Sequence, residues 1–419
     1  MGNSPDQWRE CKLGDVLELK RGYDLPHQHR QPGSVPVVSS SGPSGFHSEA
    51  KVKGPGVVTG RYGTIGSVFF VPRDFWPLNT ALYVRDFKGS DPKFVSYFLK
   101  TIDFYSCSDK AAVPGVNRND LHELPVRVPP PTEQRRIARI LSAFDDKIEL
   151  NRKTNATLEA MARALFKSWF VDFDPVRAKA EGHAPTGMDA ATAKLFPSAL
   201  LESELGPIPK GWQAACVGDC ATLKRGTTYK GMLVGKPGPA LLGLGSIRPG
   251  GGFRSDGFKT YGGECPPELM LRPGELYVSL KGATKDGEMI GSVARVPKTL
   301  PLGRLTQDTV KLEIKKPGIS RFLYRLLLTP EYRTYCRNRA MGSAVVALSR
   351  EDFLHYPMPL PDAPVLERFD ALLAALEDRG EEADAESLKL ATTRDTLLPR
   401  LLSGEVSVAT AERFVGQVA

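Results

Sequence analysis

Hydrophobic side chains recur at alternating intervals of four and three residues along two long segments of the chain. The first segment follows Pro129-Pro130-Pro131, where Thr132 is a suitable N-cap, and the second lies 232 residues later. A period of 3.5 residues predicts a coiled-coil seam, roughly 50 Å long, in each segment. The predicted seam positions are Ile137, Leu141, Phe144, Ile148, Asn151, Asn155, Leu158, Leu165 and Trp169, then Phe369, Leu373, Leu376, Leu390, Leu397 and Leu401.

The two seams are expected to pair with each other in antiparallel orientation. Asn151 and Asn155, midway along the first seam, then meet the small residues Gly380, Ala383 and Ser387, midway along the second. Buried polar groups at a seam fix its register at some cost in stability. Parallel pairing would bring the same residues together, so the orientation is inferred from symmetry alone. The alternative is that each helix pairs with another chain.

Short β-like runs between glycines and prolines make up the rest of the chain, with helical stretches at 92–105 and 319–341. The predicted fold class is α/β, with two tandem β-rich modules separated by two long antiparallel coiled-coil spacer helices and related by a pseudo-two-fold axis. The predicted segments are a first module at 1–131, a first spacer at 132–180, a linker at 181–206, a second module at 207–362, a second spacer at 363–404 and a tail at 405–419.

The chain is two copies of one unit, because its landmarks return in the same order. Leu19-Lys20-Arg21-Gly22 returns as Leu223-Lys224-Arg225-Gly226, 204 residues later. Farther along, Gly66-Ser67-Val68 returns as Gly291-Ser292-Val293. Internal repetition of this kind defines the architecture before any single motif is considered.

Composition narrows the class of protein without naming a function. The net charge of the 419 residues is +8 and the sequence pI is about 9.1, which is compatible with a polyanionic partner. The six cysteines form no Cys-x-x-Cys pair, and no apolar run approaches the ~20 residues that span a bilayer. We therefore expect a cytoplasmic protein without membrane contact.

Several segments together resemble the specificity subunit of Type I restriction-modification systems. They cover nearly the whole chain, and the combination is specific although each piece is short. They are Leu13-Gly14-Asp15 with Lys20-Arg21-Gly22, Gly60-Arg61-Tyr62-Gly63, Glu133-Gln134-Arg135-Arg136-Ile137, Ser168-Trp169-Phe170-Val171-Asp172 and Leu397-Leu398-Pro399-Arg400-Leu401-Leu402-Ser403-Gly404. The second module departs from the pattern, since Ser279-Leu280-Lys281-Gly282 and an insertion up to Gly291 stand where the first has Gly60-Arg61-Tyr62-Gly63.

The resemblance implies a subunit that selects DNA and does not itself catalyse a reaction. Each target-recognition module would read one half of a bipartite, asymmetric double-stranded DNA sequence. The spacer helices would dock two modification (methyltransferase) subunits, which bind S-adenosylmethionine and methylate adenine. Restriction (translocase-nuclease) subunits that use ATP and Mg²⁺ would join the same complex. No cofactor or metal is expected on this chain.

Motifs for catalysis are missing from the sequence. An adenine methyltransferase requires an (Asn/Asp)-Pro-Pro-(Tyr/Phe) tetrapeptide, and Cys265-Pro266-Pro267-Glu268 lacks both ends of it. A nuclease centre assembled from Asp308, Glu313 and Lys315 is disfavoured because these residues lie too close together on one apparent strand. A metal site at His27 and His29 is disfavoured because no second pair of ligands lies nearby in the sequence. The alternative functions are a self-contained methyltransferase or nuclease, and a coiled-coil scaffold that does not bind DNA. A salt-dependent DNA shift assay would distinguish that scaffold from a DNA reader.

Basic and aromatic residues beside glycines are the candidates for DNA contact. A cation next to a glycine can approach a phosphate closely, and an arginine in a tight turn can reach a guanine edge. The candidates are Lys20, Arg21, Tyr23, Arg61 and Tyr62 in the first module, and Lys224, Arg225, Arg254 and Lys281 in the second. The polar loop Asn117-Arg118-Asn119 is a weaker candidate.

Overall fold

A computed structural model describes residues 8–108, 115–282, 287–342 and 346–418, with the backbone alone for 414–418. The chain divides into two compact units. One unit contains residues 1–150 and 386–419, and the other contains residues 151–385. Residues 283–286, which belong to the predicted insertion in the second module, lie outside the described residues.

The first module is built on a four-stranded antiparallel sheet with a smaller three-stranded sheet. In the larger sheet the strand order is β2-β8-β5-β6, and in the smaller one it is β4-β3-β7. Strands β1 and β9 pair separately and bring the two ends of the module together. The strands are β1 (Arg9–Lys12), β2 (Glu18–Arg21), β3 (Val35–Ser39), β4 (Gly42–His47), β5 (Gly56–Gly60), β6 (Val68–Val71), β7 (Trp76–Pro77), β8 (Ala81–Asp86) and β9 (Pro125–Val128).

The second module repeats the main features of this topology. Its larger sheet has the order β13-β20-β16-β18, a parallel pair β14-β19 matches β3-β7, and β12 pairs with β22 as β1 pairs with β9. The strands are β10 (Leu200–Leu201), β11 (Ile208–Pro209), β12 (Gln213–Cys216), β13 (Ala221–Arg225), β14 (Ala240–Leu242), β15 (Met270–Leu271), β16 (Leu276–Ser279), β17 (Lys281–Gly282), β18 (Val293–Arg295), β19 (Gly303–Leu305), β20 (Thr309–Ile314), β21 (Val346–Ala347) and β22 (Pro357–Leu360). The duplication in the sequence is therefore also a duplication of fold.

Two long helices, α3 and α10, follow the two modules. They extend over 40 and 41 residues, which at about 1.5 Å per residue corresponds to roughly 60 Å each. The helices are α1 (Pro92–Phe98), α2 (Arg118–His122), α3 (Pro131–Phe170), α4 (Asp174–Ala180), α5 (Ala190–Lys194), α6 (Val217–Cys220), α7 (Ser320–Leu326), α8 (Pro330–Arg339), α9 (Arg350–Leu354), α10 (Ala363–Ser403) and α11 (Val408–Val418). The predicted helical stretch at 319–341 is interrupted, because Thr329 caps a new helix that begins at Pro330.

In the first unit, the beginning of α3 and the end of α10 share one core with the first module. Ile137, Leu141 and Phe144 are buried in the same cluster as Leu390 and Leu401. The Arg394 guanidinium pairs with Asp145, which also accepts a hydrogen bond from the Tyr97 hydroxyl. Burial and this carboxylate raise the pKa of Tyr97 above its usual value, so the hydroxyl remains protonated. The helix ends are thus anchored to the module by apolar and polar contacts.

In the second unit, aromatic rings join the end of α3 to the beginning of α10. The Phe170 ring packs edge-on against Phe369 at 4.8 Å between centroids and against Phe322 of α7 at 5.0 Å. Trp169 and Leu373 are buried in the same cluster.

Among the other predicted seam positions of both units, Asn151 is also buried, while Ile148, Asn155, Leu158, Leu165, Leu376 and Leu397 are half-buried.

The predicted linker and tail both contain packed structure. Within 181–206, the short helix α5 precedes Phe196, whose ring is buried 4.9 Å from that of Trp169. Within 405–419, the helix α11 buries Val408 and Ala411, and Glu412 pairs with Arg136 at 2.7 Å. Because these residues bury apolar surface, neither segment is a free connector.

Candidate nucleic-acid interface

A basic cleft of about 430 Å³ lies at one edge of the large sheet of the first module. Three arginines, Arg21, Arg61 and Arg118, line it together with the ring of Tyr62 and the backbone of Gly115. Three cations and one partly exposed ring in one concave surface can bind a phosphate and stack on or hydrogen-bond to a base. The structure thus brings together three residues predicted from the sequence, Arg21, Arg61 and Tyr62.

Close backbone approaches determine the shape of the cleft. Gly60 ends β5 where an added Cβ would lie 1.9 Å from the Thr64 carbonyl oxygen, so the turn that presents Arg61 requires glycine. Tyr62 pairs with Gly115, and a Cβ there would lie 2.3 Å from the tyrosine ring. The Arg61 guanidinium lies over the Tyr62 ring, 4.6 Å from its centroid. This cation–π contact orients the guanidinium before any ligand arrives.

Arg118 belongs to the loop that the sequence indicates only as a weaker candidate. The structure places it at the first position of α2, with Asn117 as N-cap accepting a hydrogen bond from the Asn119 backbone N–H. An Asn followed by a short amphipathic stretch is a helix-start signal. That signal locates the turn, but only the tertiary structure shows that the turn faces Arg21 and Arg61.

Lys20 and Tyr23 are not among the residues that line the cleft, and they contact each other and Tyr83. The Tyr23 hydroxyl is 3.0 Å from that of Tyr83, and the Lys20 ammonium is 5.7 Å from the Tyr23 ring centroid. The hydrogen bond with Tyr83 and the charge of Lys20 lower the pKa of Tyr23, while burial raises the pKa of Tyr83. The Tyr23 hydroxyl is thus already engaged, which favours a role for its ring edge over a role as a hydrogen-bond donor.

The second module presents different chemistry at the equivalent positions. Strand register places Lys281 opposite Ala347 as Tyr62 is placed opposite Gly115, so Leu280 occupies the position of Arg61. Leu280 is only 7% exposed and belongs to the core. The Lys281 ammonium lies 3.3 Å from Asp308, and Arg254 pairs with Asp256 at 2.9 Å. Arg225 remains exposed at the end of β13 and Lys224 is half-buried.

The alternative catalytic constellations are not assembled. Asp308 pairs with Lys281, Glu313 accepts from the Thr222 hydroxyl at 3.1 Å, and Lys315 donates to the Gly218 carbonyl. His27 and His29 are exposed on one short turn. Within the part of the chain that the structure describes, no group of three or more His, Cys, Asp or Glu side chains is placed to hold a metal ion.

None of the helices in residues 8–108, 115–282, 287–342 and 346–418 is both long enough and apolar enough to cross a membrane.

Comparisons with known proteins agree on one class. Residues 5–160 match the model of the Type I restriction modification DNA specificity domain. The chain is 25% identical over 358 residues to the Type I restriction enzyme HindI specificity subunit of Haemophilus influenzae, covering 71% of this chain and 72% of that protein. It is 26% identical over 325 residues to the MjaIX specificity subunit of Methanocaldococcus jannaschii, covering 75% and 67%.

A crystal structure of the Type I restriction-modification system S subunit from M. genitalium has a similar fold. The TM-score is 0.56 at 16% sequence identity, over 94% of this chain and 96% of that one. Fold and sequence together define a duplicated DNA-specificity protein. Residues 5–160 match a Type I restriction modification DNA specificity domain, and the chain is similar over most of its length to specificity subunits of these systems, as its sequence motifs predicted.

Replacing Arg61 by alanine is expected to weaken binding of the first half of the DNA target by roughly five- to a hundredfold. Loss of a guanidinium that contacts a base edge typically costs about 1–3 kcal/mol of discrimination. Equilibrium binding of target and scrambled duplexes by the assembled complex measures this. Arg73→Ala, which removes an exposed arginine outside the cleft, is the matched control. Equal affinities of both variants for the target would contradict the assignment.

Proposed function

We propose that each module reads one half of a bipartite DNA sequence while the two long helices hold the halves at a set spacing. The observation that carries this proposal is the repetition of one strand topology, each copy followed by a helix of about forty residues. Two equivalent modules imply two DNA-recognition surfaces, one on each module. Different residues at equivalent positions, such as Arg61 and Leu280, imply that the two half-sites differ, which makes the target asymmetric.

The helices act, in this proposal, as an antiparallel coiled-coil spacer with a pseudo-two-fold axis near its middle. The Asn151 side-chain amide donates to the Ala383 carbonyl oxygen at 3.2 Å, across 232 residues. That separation equals the sequence offset of the two helices, so Asn151 contacts the residue equivalent to itself. A residue that touches its own repeat equivalent lies beside the axis that relates the repeats, which supports this arrangement.

Polar residues at the middle of the seam would set its register. Asn155 donates from Nδ2 to Asp384 at 2.6 Å, and an added Cβ at Gly380 would lie 3.3 Å from Asn155 Oδ1. Burial raises the pKa of Asp384, whereas this hydrogen bond lowers it. Sliding either helix by one turn would separate these partners and would take the buried Asn151 amide away from the Ala383 carbonyl oxygen. A fixed register of the two helices would give a fixed distance between the two DNA-recognition modules.

The DNA-contact candidates fall into two groups under this proposal. Arg21, Arg61, Tyr62 and Arg118 form the base-reading cleft of the first module, while Lys20 and Tyr23 lie outside its lining. In the second module, the exposed Arg225 and the half-buried Lys224 would bind phosphates. Lys281 and Arg254 would give up part of their interaction with Asp308 and Asp256 when they bind DNA.

Partner subunits would supply the chemistry. Two modification subunits carrying S-adenosylmethionine would dock on the outer faces of the long helices, and restriction subunits using ATP and Mg²⁺ would complete the complex. Large apolar side chains exposed on these helices support docking there, namely Leu150 and Leu388 in one unit and Met161 in the other. A self-contained methyltransferase or nuclease and a scaffold that does not bind DNA are not favoured by the relatives of this chain.

The purified chain alone is expected neither to methylate nor to cleave DNA, whereas addition of modification subunits restores adenine methylation at a bipartite site. Incorporation of a labelled methyl group from S-adenosylmethionine, with sequencing of the methylated positions, measures both results. Modification subunits without this chain are the control, and they should show no site preference. Robust methyl transfer by the chain alone would contradict the proposal.

A further inference from the structure

We propose that a loop of the second module, residues 227–236, contacts the bases of the second half-site through Tyr229 and Met232. This inference rests on the proposed DNA-reading function and assigns that function a surface distinct from the nine candidate residues. The loop follows β13, so it begins directly after the basic pair Lys224-Arg225. It contains one short helical turn, Gly231–Leu233.

The loop exposes apolar side chains where a soluble surface would ordinarily be polar. Met232 is 80% exposed and Tyr229 is 40% exposed, and both belong to the large hydrophobic residues that the described part of the chain leaves in solvent. Exposed side chains of this kind at a loop tip mark a contact surface. Apolar and aromatic side chains contact thymine methyl groups in the major groove or stack on and wedge between bases.

Exposed lysines lie in the same loop and on the segment that pairs with it. Lys230 and Lys236 lie within the loop, and Lys259 lies on the adjacent segment, whose backbone pairs with the loop through Val234 and Tyr261. The Leu241 N–H also donates to the Lys259 carbonyl oxygen at 2.8 Å, which ties that segment to β14. Apolar side chains accompanied by lysines suit a DNA groove, which lies between two phosphate backbones. The phosphates attract the lysines, and the apolar side chains then contact the bases.

The module as a whole is more basic than its counterpart. Residues 207–362 contain 23 Lys/Arg and 13 Asp/Glu, a net charge of +10, whereas residues 1–131 contain 16 and 13, a net charge of +3. Because the second module lacks an arginine at the position of Arg61, it needs another element to read bases. Among its described residues, exposed lysines and exposed apolar side chains coincide in this loop.

A buried arginine holds the loop in place from beneath. Arg304 of β19 is 3% exposed and donates to the Thr227 hydroxyl and the Thr228 carbonyl, each at 3.2 Å. Its guanidinium also lies 5.0 Å from the centroid of the Tyr261 ring, whose hydroxyl accepts from the Lys230 N–H at 3.2 Å. The guanidinium donates to four main-chain or side-chain acceptors. Its hydrogen bonds therefore hold the backbone of the loop and its neighbours in place, and they are not available to DNA.

The first module has the equivalent loop with different side chains. Its short turn, His27–His29, lies 204 residues before Gly231–Leu233, and Trp76 takes the strand position of Arg304. The Trp76 ring packs edge-on against Tyr23 at 6.4 Å. One scaffold position thus supports the loop in both modules, by a ring in one and by a guanidinium in the other. Equivalent loops with unlike side chains suit the reading of unlike half-sites.

The test is selection of DNA sequences from a randomised duplex library by the full chain assembled with modification subunits. Tyr229→Ala with Met232→Ala is expected to reduce discrimination at one or more positions of the second half-site about tenfold or more, with the first half-site unchanged. Tyr105→Ala, which removes a ring that is 66% exposed in the first module, is the control and should change neither half-site.

A second variant separates phosphate binding from base reading. Lys230→Gln, Lys236→Gln and Lys259→Gln together are expected to flatten the salt dependence of binding by about two to three units of the log–log slope, with sequence preference retained. Two results would overturn the loop inference and leave the proposed function standing. They are an unchanged sequence preference at the second half-site in the Tyr229/Met232 variant, and an equal loss of preference at both half-sites. If the wild-type complex selects no bipartite sequence, the proposed function falls and this inference falls with it.

Discussion

Inserting four residues into both long helices is expected to widen the gap between the two halves of the recognised DNA sequence by about one or two base pairs. Four residues add roughly 6 Å of helix, and B-DNA advances about 3.4 Å per base pair. They also rotate the downstream part by about 40°, because four residues slightly exceed one turn. The insertion in α3 belongs between Asn151 and Asn155, and the matching one belongs near Ala383. The half-site sequences should stay the same, since base readout lies in the modules.

The paired insertion is the informative variant because, in the proposed spacer, the two helices share one seam. An insertion in α3 alone leaves α10 short, and the added residues then bulge out of the helix without lengthening the pair. Sequencing of methylated sites in cells that carry the variant measures the gap. Four residues inserted between Gly404 and Glu405, beyond the end of α10, are the matched control and should leave the gap unchanged. An unchanged gap with full activity in the paired variant would refute the spacer role.

Exchanging residues 1–131 for the first module of another family member is expected to change one half of the recognised sequence completely and leave the other intact. Each module contains its own large sheet, its own parallel strand pair and its own terminal strand pair, so it is structurally complete. A sequence-specific contact is typically worth about 1–3 kcal/mol, and replacing several of them together removes the original preference.

Sequencing of methylated sites again provides the measurement, with the reciprocal exchange of residues 207–362 as its control. The two chimaeras should change opposite halves of the target. If either exchange alters both halves together, then the modules do not read DNA independently.

Several elements of the fold could be predicted from the sequence because the signals for them are local. A 3.5-residue hydrophobic period within 132–180 and 363–404 predicts α3 and α10, and a proline run marks the start of α3 to within one residue. The repeated Leu-Lys-Arg-Gly motif predicts two equivalent modules, and the strands β2 and β13 end at those motifs. The motifs within 5–160 also identify a Type I restriction modification DNA specificity domain there.

Other predictions are weaker because sequence periodicity does not describe how separate segments pack. The sequence predicts a tail after Gly404, although α11 buries Val408 and Ala411 in a core formed by distant residues. The sequence aligns Leu280 with Arg61 and Lys281 with Tyr62, and strand register gives the same equivalence. What the sequence does not show is that Leu280 is buried in the core and that Lys281 pairs with Asp308.

The sequence by itself therefore determined the duplication, the two long helices and the similarity to specificity subunits, since each depends on motifs and spacing along the chain. Only the tertiary structure decided which cations share a surface. Arg21, Arg61 and Arg118 are separated by 40 and 57 residues in the chain, yet they line one cleft because β2, β5 and α2 converge at one edge of the large sheet. Likewise, Arg304 and Lys230 carry the same charge, but one is buried beneath its loop and the other is exposed on it. Burial and convergence arise from long-range packing, which composition and periodicity do not record.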